Sequence, residues 1–384
     1  MRLGWKSMTL LLASALAMGA QDLRNWARQL EARGVRVSAG LWDADTGKAI
    51  ERHRDDLSLV PASTTKVVST YALLKTLKPD FTVETEVWGE LQDGVVRGDL
   101  TFKGDGDPLL TSERVWLLVQ SLRKLGVQRI TGSIRLDQGA FDSQREPQGW
   151  ENTTADTLPQ VLAMSVNFNR DEAGRLVQDP ERHSREIIQR LLQESGIAVE
   201  GRQAVPGNPR KLLGWASPPL RSMVMDINKW SNNFMIEMLV RKYGAGSWPR
   251  GVKRIQEFYR MSFGLGAEAI QITDGSGLSK ENRLSARTLA IILRGAYHDF
   301  EAGPEFVSSL KVIGGEPWKL KKPGPNLMRQ LTRRVRVKTG HLDRVTSLAG
   351  YLQTLDGQVR VFAIVLNGPC DDEDVWDQVS RWAN

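Results

Sequence analysis

The chain has 384 residues, 41% of them apolar and 25% charged, which excludes a disordered protein and leaves room for two or three domains around sizeable cores. The formal charge of +7 is spread out, with local enrichment between Lys319 and Lys338; lacking aromatic interleaving or a recognisable motif, it points to an anionic envelope polymer and not to nucleic acid. One cysteine, Cys370, excludes an intramolecular disulfide, and the four histidines, His53, His183, His298 and His341, have no metal-ligand spacing, so no metal site is expected.

Met1 to Ser7 carries Arg2 and Lys6, Met8 to Ala17 is apolar, and small residues cluster at Ala15, Ala17, Gly19 and Ala20. That order reads as a signal peptide over residues 1–20, and no other run approaches about 20 apolar residues. The mature protein is therefore expected to be exported to the periplasm or cell envelope, without a transmembrane segment. Asp22 to Arg33 has helical periodicity closed by Gly34. Val35 to Trp42 and Lys48 to His53 then read as a hairpin about Asp43–Gly47.

Pro61-Ala62-Ser63-Thr64-Thr65-Lys66 leads into the apolar run Val67 to Leu77. At a helix start Ser63 and Lys66, three residues apart, share a face. A serine hydroxyl attacks a carbonyl only if a partner takes its proton. A lysine can do so if burial or a second cation lowers its pKa from about 10.4. At about 6 Å and an effective dielectric near 20, a second cation contributes roughly 2 to 3 kcal/mol, so the pair predicts another lysine elsewhere. Ser-x-x-Lys recurs at Ser121–Lys124 and Ser308–Lys311, which read as solvated helix faces.

From about Phe81 to Arg210 the texture changes to short strands and turns. Thr82–Leu91, Val95–Phe102 and Ile130–Leu136 read as strands, and Ser112–Leu125 and Arg185–Ser195 as helices. Gly104-Asp105-Gly106-Asp107-Pro108 lacks a third glycine and loses an amide donor at Pro108, so it reads as a turn cluster and not a phosphate loop. This stretch looks like an inserted domain. Leu220 to Val240 is helical in pattern and carries Ser231-Asn232-Asn233, whose hydroxyl and amide converge on one ligand only at a helix start or loop. Ser165-Val166-Asn167 repeats that pattern in the insert. Helices are expected over Arg250–Tyr259 and Ser285–Tyr297, separated by a tight loop from Asp274 to Lys280. Arg334–Lys338 runs as a strand into Thr339-Gly340, followed by strands Thr346–Gln353 and Val359–Asn367 turned at Asp356-Gly357. Lys338-Thr339-Gly340 supplies the second lysine.

Ser63-x-x-Lys66, Ser231-x-Asn233 and Lys338-Thr339-Gly340, in that order, resemble the penicillin-recognising serine acyltransferases: penicillin-binding proteins and serine β-lactamases. The long step from Ser63 to Ser231 resembles the class C low-molecular-mass penicillin-binding proteins, the D-alanyl-D-alanine carboxypeptidase/endopeptidase family. The likeness extends to Gly104–Leu110, Ser165–Asn169, Asp274–Ser279 and Ser347–Tyr351. It implies a multi-domain α/β protein with a β-lactamase/transpeptidase-like domain, a five-stranded antiparallel sheet flanked by helices, over residues 21–84 and 211–384. A β-rich inserted domain over 85–210 would interrupt it. The sequence departs from the family twice: only Arg170 to His183 stands where a further small domain is usual, and His341 stands where Ser or Thr is frequent.

Carried onto matching residues, the resemblance implies that Ser63 attacks the penultimate D-alanine carbonyl with Lys66 as base. The Ser63 and His341 amides would form the oxyanion hole. Ser231 would relay a proton to the leaving amine, Asn233 would hold the substrate amide, Lys338 and Thr339 would bind the terminal carboxylate, and Gly340 would leave room for the substrate. Peptidoglycan stem peptides are the implied substrate, β-lactams the acylating inhibitors, and no cofactor is needed. Asp137, Phe141, Lys280 and Asp343 are candidates for contacting the third stem residue, the two aspartates favouring an amine there. A serine β-lactamase and a non-catalytic wall-binding protein are the alternatives.

Overall fold

The computed structural model describes residues 23–150, 159–202, 207–315 and 329–383. The expected signal peptide lies outside the described residues, as does half of the basic stretch from Lys319. In chain order the first elements are α1 (23–32), β1 (Arg36–Asp43), β2 (Ala49–His53), α2 (Thr65–Leu77), β3 (Glu84–Gln92), β4 (Val95–Lys103), α3 (Ser112–Lys124), β5 (Arg129–Ile130) and β6 (Ile134–Asp137). Then come α4 (Pro180–Glu194), β7 (Ala198–Val199), β8 (Arg210–Ala216), α5 (Leu220–Trp230), α6 (Asn233–Tyr243) and α7 (Trp248–Phe263). The last are α8 (Ala286–Tyr297), α9 (Gly303–Ser309), β9 (Lys311–Val312), β10 (Val335–Leu342), β11 (Val345–Gln353), β12 (Val359–Asn367) and α10 (Asp372–Ala383). Chain contacts gather these into two units, one of residues up to Thr76, Met225–Ser231 and Ile255 onward, the other of Leu77–Val224 and Asn232–Arg254.

The first unit is built on an antiparallel sheet ordered β2-β1-β12-β11-β10-β9. It has one strand more than the five expected, because two-residue β9 pairs with Arg336 and Val337. Helices cover both faces. Leu348, Leu352, Phe362 and Ile364 join a core with Leu23, Trp26 and Leu30 of α1 and Trp376 and Val379 of α10. Tyr351 turns to the other face and donates its hydroxyl to the Leu293 carbonyl of α8 at 2.7 Å. This is why β11 is buried from Val345 to Leu352 without alternation. Helix α2 is buried continuously from Thr65 to Leu74, which explains its apolar pattern all round.

The second unit carries a sheet ordered β7-β5-β4-β3-β8, with β6 also on β4. Helices α3 and α4 pack on it through Val115, Leu118, Leu122, Ile188 and Leu192. The strand expected over Ile130–Leu136 is two short strands, interrupted where the amides of Thr131 and Gly132 bond the carbonyls of Val96 and Gly98. Strand β8 pairs with β3, so the chain stays in this sheet to Ala216. From Arg170 to His183 there is a turn closed by the Arg170–Leu176 bridge and the start of α4.

The helical stretch from Leu220 is two helices. Ser231 is left-handed at φ 55°, and Asn232 caps α6 by accepting the Met235 amide at 3.1 Å. A second left-handed segment spans Asn167, Phe168 and Asn169 at φ 54°, 56° and 54°, each costing roughly 1–2 kcal/mol.

Candidate active site

Ser63 lies in a short 3-10 turn, Ala62–Thr64, that runs directly into α2. Ala62 is left-handed at φ 49°, strain beside a reactive group. Lys66, one turn on, is fully buried, and its Nζ lies 3.0 Å from Ser63 Oγ and 2.7 Å from the Ser276 carbonyl. The carbonyl can only accept, so it takes one of the amine hydrogens and anchors Nζ beside the serine. Ser276 is held by a loop folded around buried Asp274, whose carboxylate accepts from the amides of Gly277 (2.9 Å) and Ser279 (2.7 Å) and from Asn282 Nδ2 (2.6 Å).

Strand β10 brings the second lysine. Lys338 is 1% exposed, and its Nζ donates to Ser231 Oγ at 3.0 Å and to the Thr339 carbonyl at 2.8 Å. Burial first, then the charges of Lys66 and Lys311, push its pKa well below the ordinary lysine value. Lys338 is the second cation that the Ser63–Lys66 pair called for: the two amines repel each other, and Lys338 also bonds the second motif serine.

Gly340 explains the closeness of strand and nucleophile. A Cβ there would stand 2.8 Å from the Ser63 amide nitrogen, 2.8 Å from the Pro61 carbonyl and 2.3 Å from Ser347 Oγ. Ser347, opposite Gly340 on β11, donates to the Pro61 carbonyl at 2.5 Å, and Thr64 Oγ1 donates to the same oxygen at 2.7 Å. Ser347 thus ties the turn bearing Ser63 to the sheet, through the Pro61 carbonyl and through Thr64 Oγ1 at 3.2 Å.

The sequence profile of the D-Ala-D-Ala carboxypeptidase 3 (S13) family matches residues 20–170 and 163–384. The chain belongs to this family. It is a serine-type D-Ala-D-Ala carboxypeptidase, a hydrolase of the peptidase class, and the alternatives of a β-lactamase and a non-catalytic wall-binding protein give way. It is similar to D-alanyl-D-alanine carboxypeptidase DacB of Haemophilus influenzae, 24% identical over 398 residues that cover 81% of this chain and 81% of the relative. It is also similar to the D-alanyl-D-alanine carboxypeptidase of an Actinomadura species, 25% identical over 415 residues, 85% of this chain and 76% of the relative. Its fold is like that of penicillin binding protein 4 (dacB) from Haemophilus influenzae, with a TM-score of 0.77 over 93% of this chain and 98% of that one at 20% identity.

In this S13 peptidase Ser63, Lys66, Ser231, Lys338, Thr339 and Gly340 fall together in the first unit. His341 follows on β10, but its exposed ring turns towards Asp372 of α10, with Nδ1 3.7 Å from the carboxylate. Lys280 and Asp343 are exposed in the same unit. Asn233 is the first residue of α6 and belongs to the second unit. So do Asp137, whose carboxylate accepts the Gly139 amide at 2.8 Å, and Phe141, 8% exposed under the Arg241 guanidinium. Ser121–Lys124 lies on α3, and Ser308–Lys311 runs from α9 into β9; Lys311 is one of the charges acting on Lys338 and is more than a solvated face. The Ser276 carbonyl, Asp274, Ser347 and Thr64 carried no role in the sequence reading. Their only signal was membership of the Pro61–Lys66, Asp274–Ser279 and Ser347–Tyr351 stretches, and a backbone carbonyl leaves no mark on residue type.

Among the described residues no group of three or more His, Cys, Asp or Glu side chains could hold a metal, and no helix is long and apolar enough to cross a membrane.

Proposed function

We propose that Ser63 is acylated by the penultimate D-alanine of peptidoglycan stem peptides. The observation that carries this is the buried Lys66 amine 3.0 Å from Ser63 Oγ, anchored by the Ser276 carbonyl. The neutral amine takes the hydroxyl proton as Oγ bonds to the carbonyl carbon. The Ser63 and His341 amides receive the developing oxyanion. The C–N bond breaks, Ser231 passes a proton to the departing amine, and water then cleaves the ester to regenerate Ser63. Lys338 sits 3.0 Å from Ser231 Oγ, which suits both that relay and a positive potential for the terminal carboxylate, with Thr339 beside it. Asn233 holds the substrate amide. A β-lactam follows the same first step and leaves a slow acyl-enzyme; a related fold, Bd3459 of Bdellovibrio bacteriovorus, has been seen acylated by penicillin G.

The leaving amine is that of D-alanine in the carboxypeptidase reaction and that of a second stem in the endopeptidase reaction, so the two activities share one mechanism. For the third stem residue an amine is favoured. Asp137 lines a cavity of about 430 Å³ with Glu84, Glu86, Asp105 and Lys103; Glu84 and Glu86 are ion-paired with Lys211 and Asp105 with Lys242, so Asp137 is the carboxylate that would receive the cation. In this reading residues 85–210 are an insertion into a domain of 21–84 and 211–384, a division by motif order that differs from the contact units at β8 and α6. The export signal read at residues 1–20 directs the enzyme to the periplasm or cell envelope.

Intact-mass analysis with penicillin beside Ser63→Ala, together with D-alanine release from a stem pentapeptide, tests the function. A single persistent adduct and D-alanine release, both lost in Ser63→Ala, are expected; an adduct that survives the substitution overturns the assignment.

A further inference from the structure

Helix α6 begins at Asn233, and one of its faces is gripped by three loops of the same unit. The gripped positions, Phe234, Met238, Arg241 and Lys242, stand at i, i+4, i+7 and i+8, a single stripe. Phe234 meets the edge of Phe168 with ring centroids 6.0 Å apart and planes at 82°. Met238 faces Gly106, whose φ of 88° favours glycine and where a Cβ would stand 2.6 Å from the Phe141 ring and in ordinary contact, 3.5 Å, with Met238 Cγ. Lys242 is ion-paired with Asp105.

Arg241 is the anchor. It is fully buried, yet its guanidinium spends most of its donors on backbone: Val161 O at 2.7 Å, Asp142 O at 2.5 Å and Gly246 O at 3.1 Å, besides Asp142 Oδ1 at 2.6 Å. Phe141 and Trp248 stack on it at 4.6 and 4.4 Å. A fork bonded to three carbonyls fixes loop positions relative to the helix in a way a flexible ammonium cannot.

The loop that offers Phe168 is itself held against strain. Its three left-handed residues are kept by Asn167, which accepts the Ser112 amide and donates to Ser112 Oγ, each at 2.8 Å, and by Asn169, which donates to Gln160 O at 2.7 Å and Ser165 Oγ at 3.0 Å. Strained backbone persists only where its surroundings over-determine it. Here the result is one aromatic edge set against the residue next to Asn233.

We propose that Phe168 and Arg241 are positioning residues for acyl transfer: the inserted loops grip α6 through them and thereby fix the Asn233 amide at its first turn. This rests on the reading of Asn233 as a substrate ligand.

The experiment is a double-mutant cycle on the full chain, reading the second-order rate of acylation by a fluorescent penicillin, with circular dichroism to confirm folding. Phe168→Ala is expected to slow acylation about tenfold, within the roughly 10²-fold that a 1 Å misplacement can cost, and Phe168→Tyr to restore it. In an Asn233→Ala background Phe168→Ala is expected to cost nothing more, because the group it positions is gone. Equal losses in both backgrounds, or no loss on Asn233-containing enzyme, overturn the inference and leave the proposed function standing. No effect of Asn233→Ala alone overturns the reading of Asn233 and the inference with it. If Phe168→Ala does not fold, Phe168→Leu and Arg241→Lys enter the same cycle with the same expected non-additivity.

Discussion

Replacing Gly340 by alanine tests the site at its tightest point. The new Cβ would stand 2.8 Å from the Ser63 nitrogen and 2.8 Å from the Pro61 oxygen, both backbone atoms that cannot rotate away, and 2.3 Å from Ser347 Oγ. Reaching the 3.4 Å of ordinary contact requires strand and turn to part by about 0.6 Å. Oxyanion donors act at about 2.7–3.1 Å, so a parting of that size takes one donor beyond a useful hydrogen bond, a loss of about 10² to 10³ in rate or about 2.7–4 kcal/mol. Overpacking should also lower stability by about 1–3 kcal/mol. The assay is stopped-flow acylation by a fluorescent penicillin, beside urea denaturation of the same preparation. A folded variant that acylates within about threefold of the parent would refute the claim that β10 and the Ser63 amide act as one oxyanion-binding unit.

Three further outcomes are expected. Lys338 has a folded pKa below its ordinary value, so between that folded value and 10.5 the unfolded chain binds more protons and stability rises with pH. The melting temperature of the parent relative to Lys338→Met should therefore climb as pH is raised through that window, and a flat difference would contradict the burial argument. Asp274→Ala removes the acceptor of Gly277 N, Ser279 N and Asn282 Nδ2 and should cost roughly 2–4 kcal/mol in urea denaturation while slowing acylation, whereas Ser276→Ala, which keeps the carbonyl, should acylate like the parent. His341→Ala should leave acylation within a few-fold, because the ring points to Asp372 and the proposed mechanism uses only the backbone amide; a large loss would assign the ring a part in binding.

Local rules brought the sequence reading a long way. Ser63 and Lys66 meet because residues three apart at a helix start share a face, and the strand carrying Lys338-Thr339-Gly340 was legible from its run into two further strands; the burial of Lys338 was not, since alternation would set it on the face of exposed Arg336. The hairpin partners Val345–Gln353 and Val359–Asn367 were legible for the same reason, as continuous apolar runs around an Asp-Gly turn. The helical pattern from Leu220 hid a break, because a left-handed Ser231 has no signature in residue type.

The sequence by itself determined which chemical groups exist, their order, and every pairing that depends on a fixed helix or strand period. Only the tertiary structure decided that Ser276 gives Lys66 a carbonyl, that Lys311 joins Lys66 in depressing Lys338, and that Ser347 and Thr64 hold the nucleophile turn. It likewise decided that α6 is gripped by loops more than sixty residues away in the chain, as Arg241 shows with Val161 at a separation of 80. Apart from the bond of Thr64 to Pro61, these contacts join groups far apart in the chain. Their energy depends on distance and burial, which the chain acquires only when it folds.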